Sequence, residues 1–398
     1  MNNNSSQKIL IASPFFYPEL ISTGKYNTFL VRKLVENEHE VTVICSYPFY
    51  PAWRPEFSLE TISGADILRG GLNITYPKQT ILRRLLLEAW YCRHFLKEAK
   101  KIPGKIDIFV AIVPPIIFNL FMNIYFKDAK KVAIIHDLLG VMATSSKSFV
   151  RRFVATAMKR VESFLLRRFD KVICLSESMK NVVIHQYGLK QEHCEVHYPF
   201  STLEKGTDNT SELKKLFPAN IMHLVYSGAL GEKQKPKELY QFFANVCDNK
   251  TGIWCHIFSQ GPIFDQLLKY NAHERIMFHD LVPESRLFEL YAYSDIQIVP
   301  QAEGTGAGAF PSKLPNLIAA GVPVLAICDK GSELEKVILE ANAGKIVSGW
   351  HEKPLMEAMD SLIGDTNKET RPARKARAEK YVMDHFNIDK LVDSIVNP

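Results

Sequence analysis

Short apolar runs alternate with longer amphipathic segments along most of this chain. In the first half the apolar runs lie at 8–12, 40–45, 107–113, 131–135 and 171–176. In the second half they lie at 223–228, 254–258, 295–300 and 322–327. Helical periodicity marks segments such as 24–37, 284–293 and 371–384, and residues 278–283 are rich in turn formers. Short buried strands separated by helices predict βαβ units and a parallel sheet.

The alternation pauses once, in the polar stretch 199–220, which is typical of a linker followed by a surface helix. We therefore expect an α/β protein with two doubly wound domains. The first should span residues 1–198 and the second residues 199–380.

Residues 108–126 form an uncharged stretch about as long as a membrane span. Pro114 and Pro115 divide it, and proline is costly inside a helix. We favour a buried strand followed by an apolar helix over 116–125, and a membrane-inserted element is the alternative.

Composition is that of a globular protein: 46% of the 398 residues are hydrophobic and 23% are charged. The seven cysteines are scattered and never form a C-x-x-C pair, which is typical of core thiols in a reducing compartment rather than of disulfides or a zinc site. The first residues are polar and show no signal-peptide pattern. The expected location is cytoplasmic.

Charge is distributed unevenly between the two halves of the chain. Residues 1–200 carry 27 Lys and Arg against 17 Asp and Glu, whereas the remainder carries 22 against 26. Two amphipathic basic helices are predicted, over 82–97 and 149–168, and basic faces backed by Leu, Phe and Trp suit an anionic membrane surface. The alternative is a solvated face on a core helix. Nucleic acid is not an expected partner, because no recognition module accompanies the charge.

A glycine-rich loop follows the apolar run 295–300. It contains Glu303, Gly304 and Gly308 and leads into Ser312 and Lys313 at the start of a predicted helix. Glycines let the backbone approach a ligand, and a helix N-terminus attracts anions. We expect Ser312 to cap this helix and Gly321 to end it.

A second glycine loop follows the run 223–228, with Gly228, Gly231 and Lys233. A lysine in such a loop supplies a point charge for a phosphate, although surface lysines in glycine loops are also common. Together the two loops predict a nucleotide-sugar site in the second domain.

Two candidate ligand-binding loops lie in the first half of the chain. Gly24 stands at the start of the first helix, after a proline-rich loop, and His136 and Asp137 follow the apolar run 131–135. Ligands of open α/β sheets bind beyond the carboxyl ends of the strands, which favours all three positions. A structural histidine and an ordinary loop are the alternatives.

In order along the chain, these motifs resemble a family 4 glycosyltransferase (GT4) of the GT-B fold, of the colanic-acid, O-antigen and capsule type. The likeness covers residues 7–395 and rests on a set of segments rather than on any one of them. These segments are 17–26, 39–43, 47–53, 170–177, 226–234, 311–324 and 331–334.

The resemblance implies a retaining hexosyl or N-acetylhexosaminyl transferase that takes a sugar from a UDP- or GDP-linked donor. Two Rossmann-like domains would face a central cleft, with the donor on the second, the acceptor on the first, and a C-terminal helix at about 381–398 packed back on the first. The acceptor would be a polyprenyl-diphosphate-linked glycan used for cell-surface exopolysaccharide, at the inner face of the plasma membrane. No metal or other cofactor is implied.

The resemblance also implies roles for individual residues. Catalysis would involve His136, Asp137, Lys233 and Lys313, with His136 contacting the transferred sugar and the lysines facing the diphosphate. Acceptor binding would involve Glu19 and Lys25. Donor binding would involve Gly24, Gly228, Gly231, Asp280, Leu281, Glu303, Gly304, Gly308, Ser312, Asn316 and Glu333.

This chain departs from the family pattern at the paired acids, whose positions hold Gly308 and Asn316. Asn316 can hydrogen-bond a ribose hydroxyl, and Glu303 is the candidate to replace the missing carboxylate. Ala229 stands where the family has an arginine, so Lys233 would supply more of the positive charge that contacts the phosphate. The alternatives are a non-hydrolysing nucleotide-sugar epimerase and a non-catalytic sugar-nucleotide-binding subunit.

Overall fold

The computed structural model describes residues 6–19, 21–50, 52–58, 60–77, 79–138, 149–203, 212–305 and 310–398. The chain divides into two compact units, residues 1–200 with 387–398 and residues 201–386. The sequence placed the boundary two residues earlier and assigned everything from about 381 to the first unit. The returning segment starts at residue 387, because the helix before it is held in the second unit by Arg374 Nε, which donates to Gly321 O at 3.2 Å.

Within the described residues, the first unit contains a seven-stranded parallel sheet in the order β3-β2-β1-β4-β5-β6-β7. The strands are β1 Lys8–Ala12, β2 Glu40–Ser46, β3 Ala65–Gly70, β4 Ile108–Val113, β5 Lys130–Ile135, β6 Lys171–Cys174 and β7 Cys194–Val196. The helices are α1 Ser22–Glu36, α2 Thr80–Ala99, α3 Met122–Tyr125, α4 Phe149–Leu166 and α5 Glu177–Tyr187.

Apolar side chains pack on both faces of this sheet. Leu10 and Phe109 belong to the core on one face, and Ile9 and Val110 to the core on the other. Continuous apolar strands such as β4 are the sequence signature of a parallel sheet covered on both sides. The doubly wound α/β architecture expected from the sequence is confirmed.

The uncharged stretch 108–126 is divided as expected at its prolines. Strand β4 is followed by a 3₁₀ helix, Ile117–Phe121, and then by the single turn of α3. Phe118 and Met122 are buried in the core of the first unit. Among the described residues, no helix combines the length and apolar character needed to cross a membrane.

The second unit contains, among its described residues, a six-stranded parallel sheet in the order β10-β9-β8-β11-β12-β13. The strands are β8 Met222–Ser227, β9 Ile253–Phe258, β10 Ile276–His279, β11 Ile296–Pro300, β12 Val324–Ile327 and β13 Gly344–Val347. The helices are α6 Pro236–Asn249, α7 Pro262–Tyr270, α8 Leu287–Tyr293, α9 Leu314–Ala319, α10 Glu333–Glu340, α11 Glu352–Lys368 and α12 Arg371–His385.

The segment 278–283, predicted as a turn, begins inside β10, and the following helix starts at Leu287 after a 3₁₀ turn, Glu284–Arg286. The last helix, α13 Ile388–Val396, returns to the first unit. It buries Val392 and Ile395 there, and Lys33 of α1 forms an ion pair with Asp389 at 2.9 Å.

All recorded strand pairs are parallel, so the loops that leave the carboxyl ends lie at one edge of each sheet. In the first unit this edge carries the loops after β1, β2, β4 and β5. In the second unit it carries the loops after β8, β10 and β11. The sequence-predicted site residues fall mainly on these loops.

Candidate active site

The two glycine loops of the second unit lie side by side. Ala302 N donates to Lys233 O at 2.8 Å and so joins the loop after β11 to the loop after β8. Gly228 has φ 133°, which a residue with a side chain rarely adopts, and its N–H donates to Phe258 O at 3.0 Å. Gly231 N donates to Gln234 Oε1 at 3.0 Å. The adjacent loops bring an exposed lysine, Lys233, to the same edge.

Lys313 extends back across the sheet edge. Its Nζ donates to Ser227 O at 3.1 Å and to Ile298 O at 3.0 Å, and lies 4.3 Å from the centroid of the Tyr226 ring. Burial lowers the pKa of Lys313 to about 7. These two hydrogen bonds join the ends of β8 and β11, and the protonated form of Lys313 has one further N–H donor.

The loop after β11 is described only up to residue 305, so Gly308 lies outside the described residues. Gly304, with φ 72°, donates its N–H to Asp329 Oδ2 at 2.8 Å. Glu303 is exposed beside it. A carboxylate on this exposed turn is available to a ligand at the loop.

The prediction that Ser312 caps the next helix is wrong. Helix α9 begins at Leu314, and Lys313, not Ser312, occupies the cap position and makes no side-chain capping hydrogen bond. Ser312 is exposed in the preceding turn. Gly321 ends this helical segment as predicted, with φ 66° and Val322 N donating to Leu317 O at 3.1 Å.

Asn316 has partners that the sequence did not reveal. It is buried, its Oδ1 accepts from Thr202 N at 2.8 Å and from Ser201 Oγ at 3.0 Å, and its Nδ2 donates to Thr202 Oγ1 at 3.2 Å. These contacts fasten the start of the second unit to α9. The predicted contact of Asn316 with a ribose stays a prediction.

Glu333 is the first residue of α10 and is buried, and Ser332 caps that helix by accepting from Glu335 N at 3.3 Å. A carboxylate at a helix N-terminus is stabilised by the helix dipole. The predicted donor contact of Glu333 stays a prediction.

Asp280 and Leu281 follow β10, beside a row of three histidines that sequence reasoning missed. His223 Nε2 donates to Pro218 O at 3.1 Å, which leaves His223 Nδ1 to accept from His256 Nε2 at 3.0 Å. His256 Nδ1 then accepts from His279 Nε2 at 3.1 Å. Burial lowers the pKa of His256 to about 2 and that of His279 to about 4, so the row is neutral. A histidine in each of three neighbouring apolar strands was the available signal.

In the first unit, His136 and Asp137 lie just beyond β5. His136 N donates to Val113 O at 2.9 Å, and the imidazole borders a small cavity of about 20 Å³. Burial lowers the pKa of His136 to about 4, so the ring is neutral at physiological pH. Asp137 Oδ2 lies 3.6 Å from Arg84 Nη2 at the start of α2.

Glu19 is buried and supports a neighbouring loop. Its two carboxylate oxygens accept from Phe49 N at 2.9 Å and Tyr50 N at 2.7 Å. A Cβ on Gly24 would lie 2.9 Å from Glu19 Cβ, so Gly24 makes room for this side chain. Lys25 is half-buried in the first turn of α1. The predicted acceptor contacts of Glu19 and Lys25 stay predictions.

Two further buried carboxylates of the first unit, Glu88 and Glu162, were not identified from the sequence. Glu88 accepts from Ile116 N at 3.1 Å and Ile117 N at 3.0 Å, and Glu162 accepts from the Tyr187 hydroxyl at 2.8 Å. Burial raises the pKa of Glu88 to about 7. Both residues interrupt apolar runs in the basic helices. Among the described residues, no group of three His, Cys, Asp or Glu is arranged to hold a metal ion.

Comparison with known proteins identifies the family and the fold of this chain. The description "Glycosyltransferase Family 4" belongs to the family model that matches residues 23–205, and "Glycosyl transferases group 1" to the model that matches residues 211–379. Over 352 residues the chain is 25% identical to the colanic acid biosynthesis glycosyltransferase WcaI of Escherichia coli strain K12, across 82% of this chain and 84% of that protein.

Solved structures agree on the fold. Sucrose-phosphate synthase from Thermosynechococcus elongatus matches with a TM-score of 0.77 at 14% identity, covering 98% of this chain and 97% of that one. The trehalose-6-phosphate enzyme of E. coli solved with UDP-2-fluoro glucose matches at 0.70 and 8%, and Anabaena HepE solved with UDP and glucose at 0.65 and 15%. Each of these two comparisons covers 98% of both chains.

The two Rossmann-like parallel-sheet units have the GT-B fold, and the two family models show that the chain is a glycosyltransferase. Within that class, the chain belongs to the GT4 type, as the resemblance predicted, and has a relative in colanic acid biosynthesis. The epimerase alternative is set aside by this membership.

We predict that Glu19 makes stability fall as the pH rises. Burial raises the pKa of Glu19 from 4.5 to about 7. The folded protein therefore holds this proton more tightly than the unfolded chain, and the stability gained at low pH is lost between pH 4.5 and 7. The slope should reach at most about 1.4 kcal/mol per pH unit.

Urea unfolding of the wild type and of Glu19→Gln across pH 4.5–8 measures this slope, which should be shallower in the variant. The exposed Glu56→Gln change in the same unit is the control and should keep the wild-type slope. Equal slopes in all three proteins would show that Glu19 is ionised throughout.

Proposed function

We propose that this glycosyltransferase is a retaining enzyme that moves a sugar from a UDP- or GDP-linked donor to a hydroxyl of a polyprenyl-diphosphate-linked glycan. The observation that carries the donor half is the meeting of two glycine loops with Lys233 and Lys313 at one edge of the second sheet. The product would be an intermediate of a cell-surface polysaccharide, such as an O-antigen, a capsule or another exopolysaccharide.

The lysines supply the chemistry that the leaving group needs. When the bond between the sugar C1 and the phosphate oxygen breaks, negative charge develops on the nucleoside diphosphate. Fixed cations aimed at that charge stabilise the transition state without reorganising. Lys233 is exposed, and Lys313 is oriented by two carbonyls, so the pair can meet the diphosphate without a metal ion or other cofactor.

Two similar structures support a nucleoside diphosphate as the leaving group. HepE was solved with UDP and glucose, and the E. coli trehalose-6-phosphate enzyme with UDP-2-fluoro glucose. The relative in colanic acid biosynthesis supports a polysaccharide product. Asp280 and Leu281, at the end of the neutral histidine row, are the proposed neighbours of the base.

The part of the proposal that concerns the acceptor depends on residues of the first unit. A neutral His136 can hydrogen-bond a sugar hydroxyl without attracting the diphosphate, and Asp137 is the second candidate for contact with the substrate. In the proposed step, the acceptor oxygen forms its bond to C1 on the face that the phosphate leaves, and the acceptor proton passes to the departing phosphate oxygen. Retention then needs no enzymic nucleophile.

Peripheral binding to the inner face of the plasma membrane is the last part of the proposal. An open pocket of about 540 Å³ lies along α4 and α5. Its cations are Lys159, Arg160, Arg167 and Arg168, and Phe164 is 54% exposed beside them. A basic pocket with an exposed phenylalanine suits anionic headgroups.

The donor site is tested by thermal stabilisation with UDP, GDP, ADP, CMP and NAD. A nucleotide at a hundredfold excess over its Kd should stabilise the protein by about 2.7 kcal/mol. We expect UDP or GDP alone to act, and Lys233→Ala to weaken that nucleotide roughly 10- to 100-fold, because a charge-assisted hydrogen bond is lost. Lys353→Ala, an 87% exposed lysine on α11, is the control and should bind normally.

Each outcome of the panel bears on the proposal. A response to UDP or GDP that Lys233→Ala does not change would contradict the role of Lys233. No response to any nucleotide would contradict the donor site. Nucleotide binding without transfer from any sugar linked to that nucleotide would favour a non-catalytic binding subunit.

His136→Ala should lower the turnover number about a hundredfold or more while the Kd for the nucleotide stays unchanged, because a positioning contact to the transferred sugar is lost. Turnover is measured under saturating donor, and the Kd separately. His185→Ala, an exposed histidine on α5, is the control. Turnover within a few-fold of wild type would remove His136 from the mechanism.

The membrane proposal predicts that Arg160→Gln with Arg168→Gln weakens binding to vesicles containing phosphatidylglycerol. Each basic residue near an anionic surface contributes about 1 kcal/mol, so the loss should be roughly 30-fold. Lys353→Gln with Lys368→Gln on α11 removes the same charge from the second unit and serves as control. Equal losses in both double variants would show only a net-charge effect.

A further inference from the structure

An aromatic surface that the transfer step does not use lies on the loop after β2. We call it the aromatic platform, and its members are Tyr47, Tyr50, Trp53 and Phe57. Phe57 is 72% exposed, and its ring centroid lies 5.2 Å from that of Tyr47. The Tyr50 and Trp53 rings meet edge to face, 5.9 Å apart at 87°. Tyr47, Tyr50 and Trp53 are half-buried, so Phe57 is the exposed edge of this aromatic cluster. An exposed aromatic ring backed by further rings is typical of a binding surface.

The loop that carries the platform is held firmly in place. Glu19 accepts the N–H groups of Phe49 and Tyr50, and Tyr76 N donates to Trp53 O at 2.6 Å. The Arg83 guanidinium lies 3.7 Å from the Trp53 ring centroid.

Trp53 itself has φ 55°, a left-handed conformation that is unfavourable for a bulky residue. Such backbone strain persists where the surroundings fix it, and it is concentrated at binding and catalytic positions. The Trp53 ring and the backbone of Tyr50 are therefore fixed before a ligand binds, which reduces the entropy lost on binding.

The platform lies on the acceptor side of the proposed reaction. It follows the carboxyl end of β2, on the sheet edge that also carries His136 and Asp137. Arg83, against Trp53, is followed in α2 by Arg84, which contacts Asp137 at 3.6 Å. Two consecutive arginines of α2 thus connect the platform with the strand end where the acceptor hydroxyl is proposed to react.

We propose that the aromatic platform is a subsite for a sugar ring of the acceptor glycan, at a position remote from the hydroxyl that receives the new sugar. This inference rests on the proposed glycosyl transfer. A pyranose presents a flat face of C–H groups that packs on an aromatic ring, while tyrosine hydroxyls can bond its edge.

The carboxylates around Phe57 favour a glycan over a membrane at this end of the platform, whereas Arg83 lies at the Trp53 end. Exposed Glu56 and Glu60 flank Phe57, and Arg54 is the one basic residue among the described positions of segment 47–60. Carboxylates repel an anionic bilayer but accept hydrogen bonds from sugar hydroxyls. The platform thus differs in charge from the basic pocket on α4 and α5.

The test uses Phe57→Ala, because a side chain this exposed can be removed with little effect on folding. The probes are N-acetylglucosamine, glucose and galactose oligomers of one to four units, titrated into the full-length protein. Wild type should bind one oligomer series more tightly than its monosaccharide, and Phe57→Ala should lose roughly tenfold of that affinity, the usual effect of truncating an aromatic contact. Tyr270→Ala, an 80% exposed tyrosine on α7, should bind like wild type.

Transfer kinetics separate the possible failures. With a lipid-free oligosaccharide acceptor, Phe57→Ala should raise KM for the acceptor and leave the turnover number and the nucleotide Kd unchanged. Unchanged oligosaccharide affinity and acceptor KM, or no preference of wild type for oligomers, would overturn the subsite while transfer stands. A loss of vesicle binding with an unchanged acceptor KM would reassign the platform to the membrane. Absence of transfer by wild type from any nucleotide sugar would overturn the proposed function itself.

Discussion

Parallel pairing of the strands is the constraint on which the arrangement of both units depends. Strands buried on both faces must be apolar along their length, so the polar groups that do chemistry are confined to the loops at their ends. Because every recorded pair is parallel, those loops share one edge of each sheet. Residues far apart in the chain, such as Lys233 and Ala302, thereby become neighbours.

Desolvation then sets the charge of the groups at these edges. It keeps His136 and the row through His256 neutral, and it brings the pKa of Lys313 down towards neutrality. Desolvation also raises the pKa of the buried carboxyls Glu19 and Glu88. Both carboxyls accept hydrogen bonds from backbone N–H groups, which offset part of this rise. Positive charge that remains exposed, at Lys233 and along α4, is left to interact with anions.

Local sequence signals predicted the fold well and the roles of buried polar groups poorly. Strand β1 was predicted over its full observed length, because a short apolar run bounded by polar residues has few other solutions. Strand β3 was missed, since Asp66 and Arg69 interrupt its pattern at the edge of the sheet. The partners of Glu19 and Asn316 were unpredictable, because Asn316 bonds to a residue 114 positions away and no local pattern encodes such a contact. The loops were therefore found from the sequence, but the hydrogen bonds that shape them were not.

The lowered pKa of Lys313 affects how an anion would bind at the proposed donor site. An amine with a pKa of about 7 is protonated in only part of the molecules near neutral pH. A diphosphate beside it favours the protonated form, so binding of the anion and uptake of a proton are thermodynamically linked. The proposed donor site would thus bind two ligands, one of which is the hydrogen ion, and its occupancy would depend on pH as well as on the supply of activated sugar.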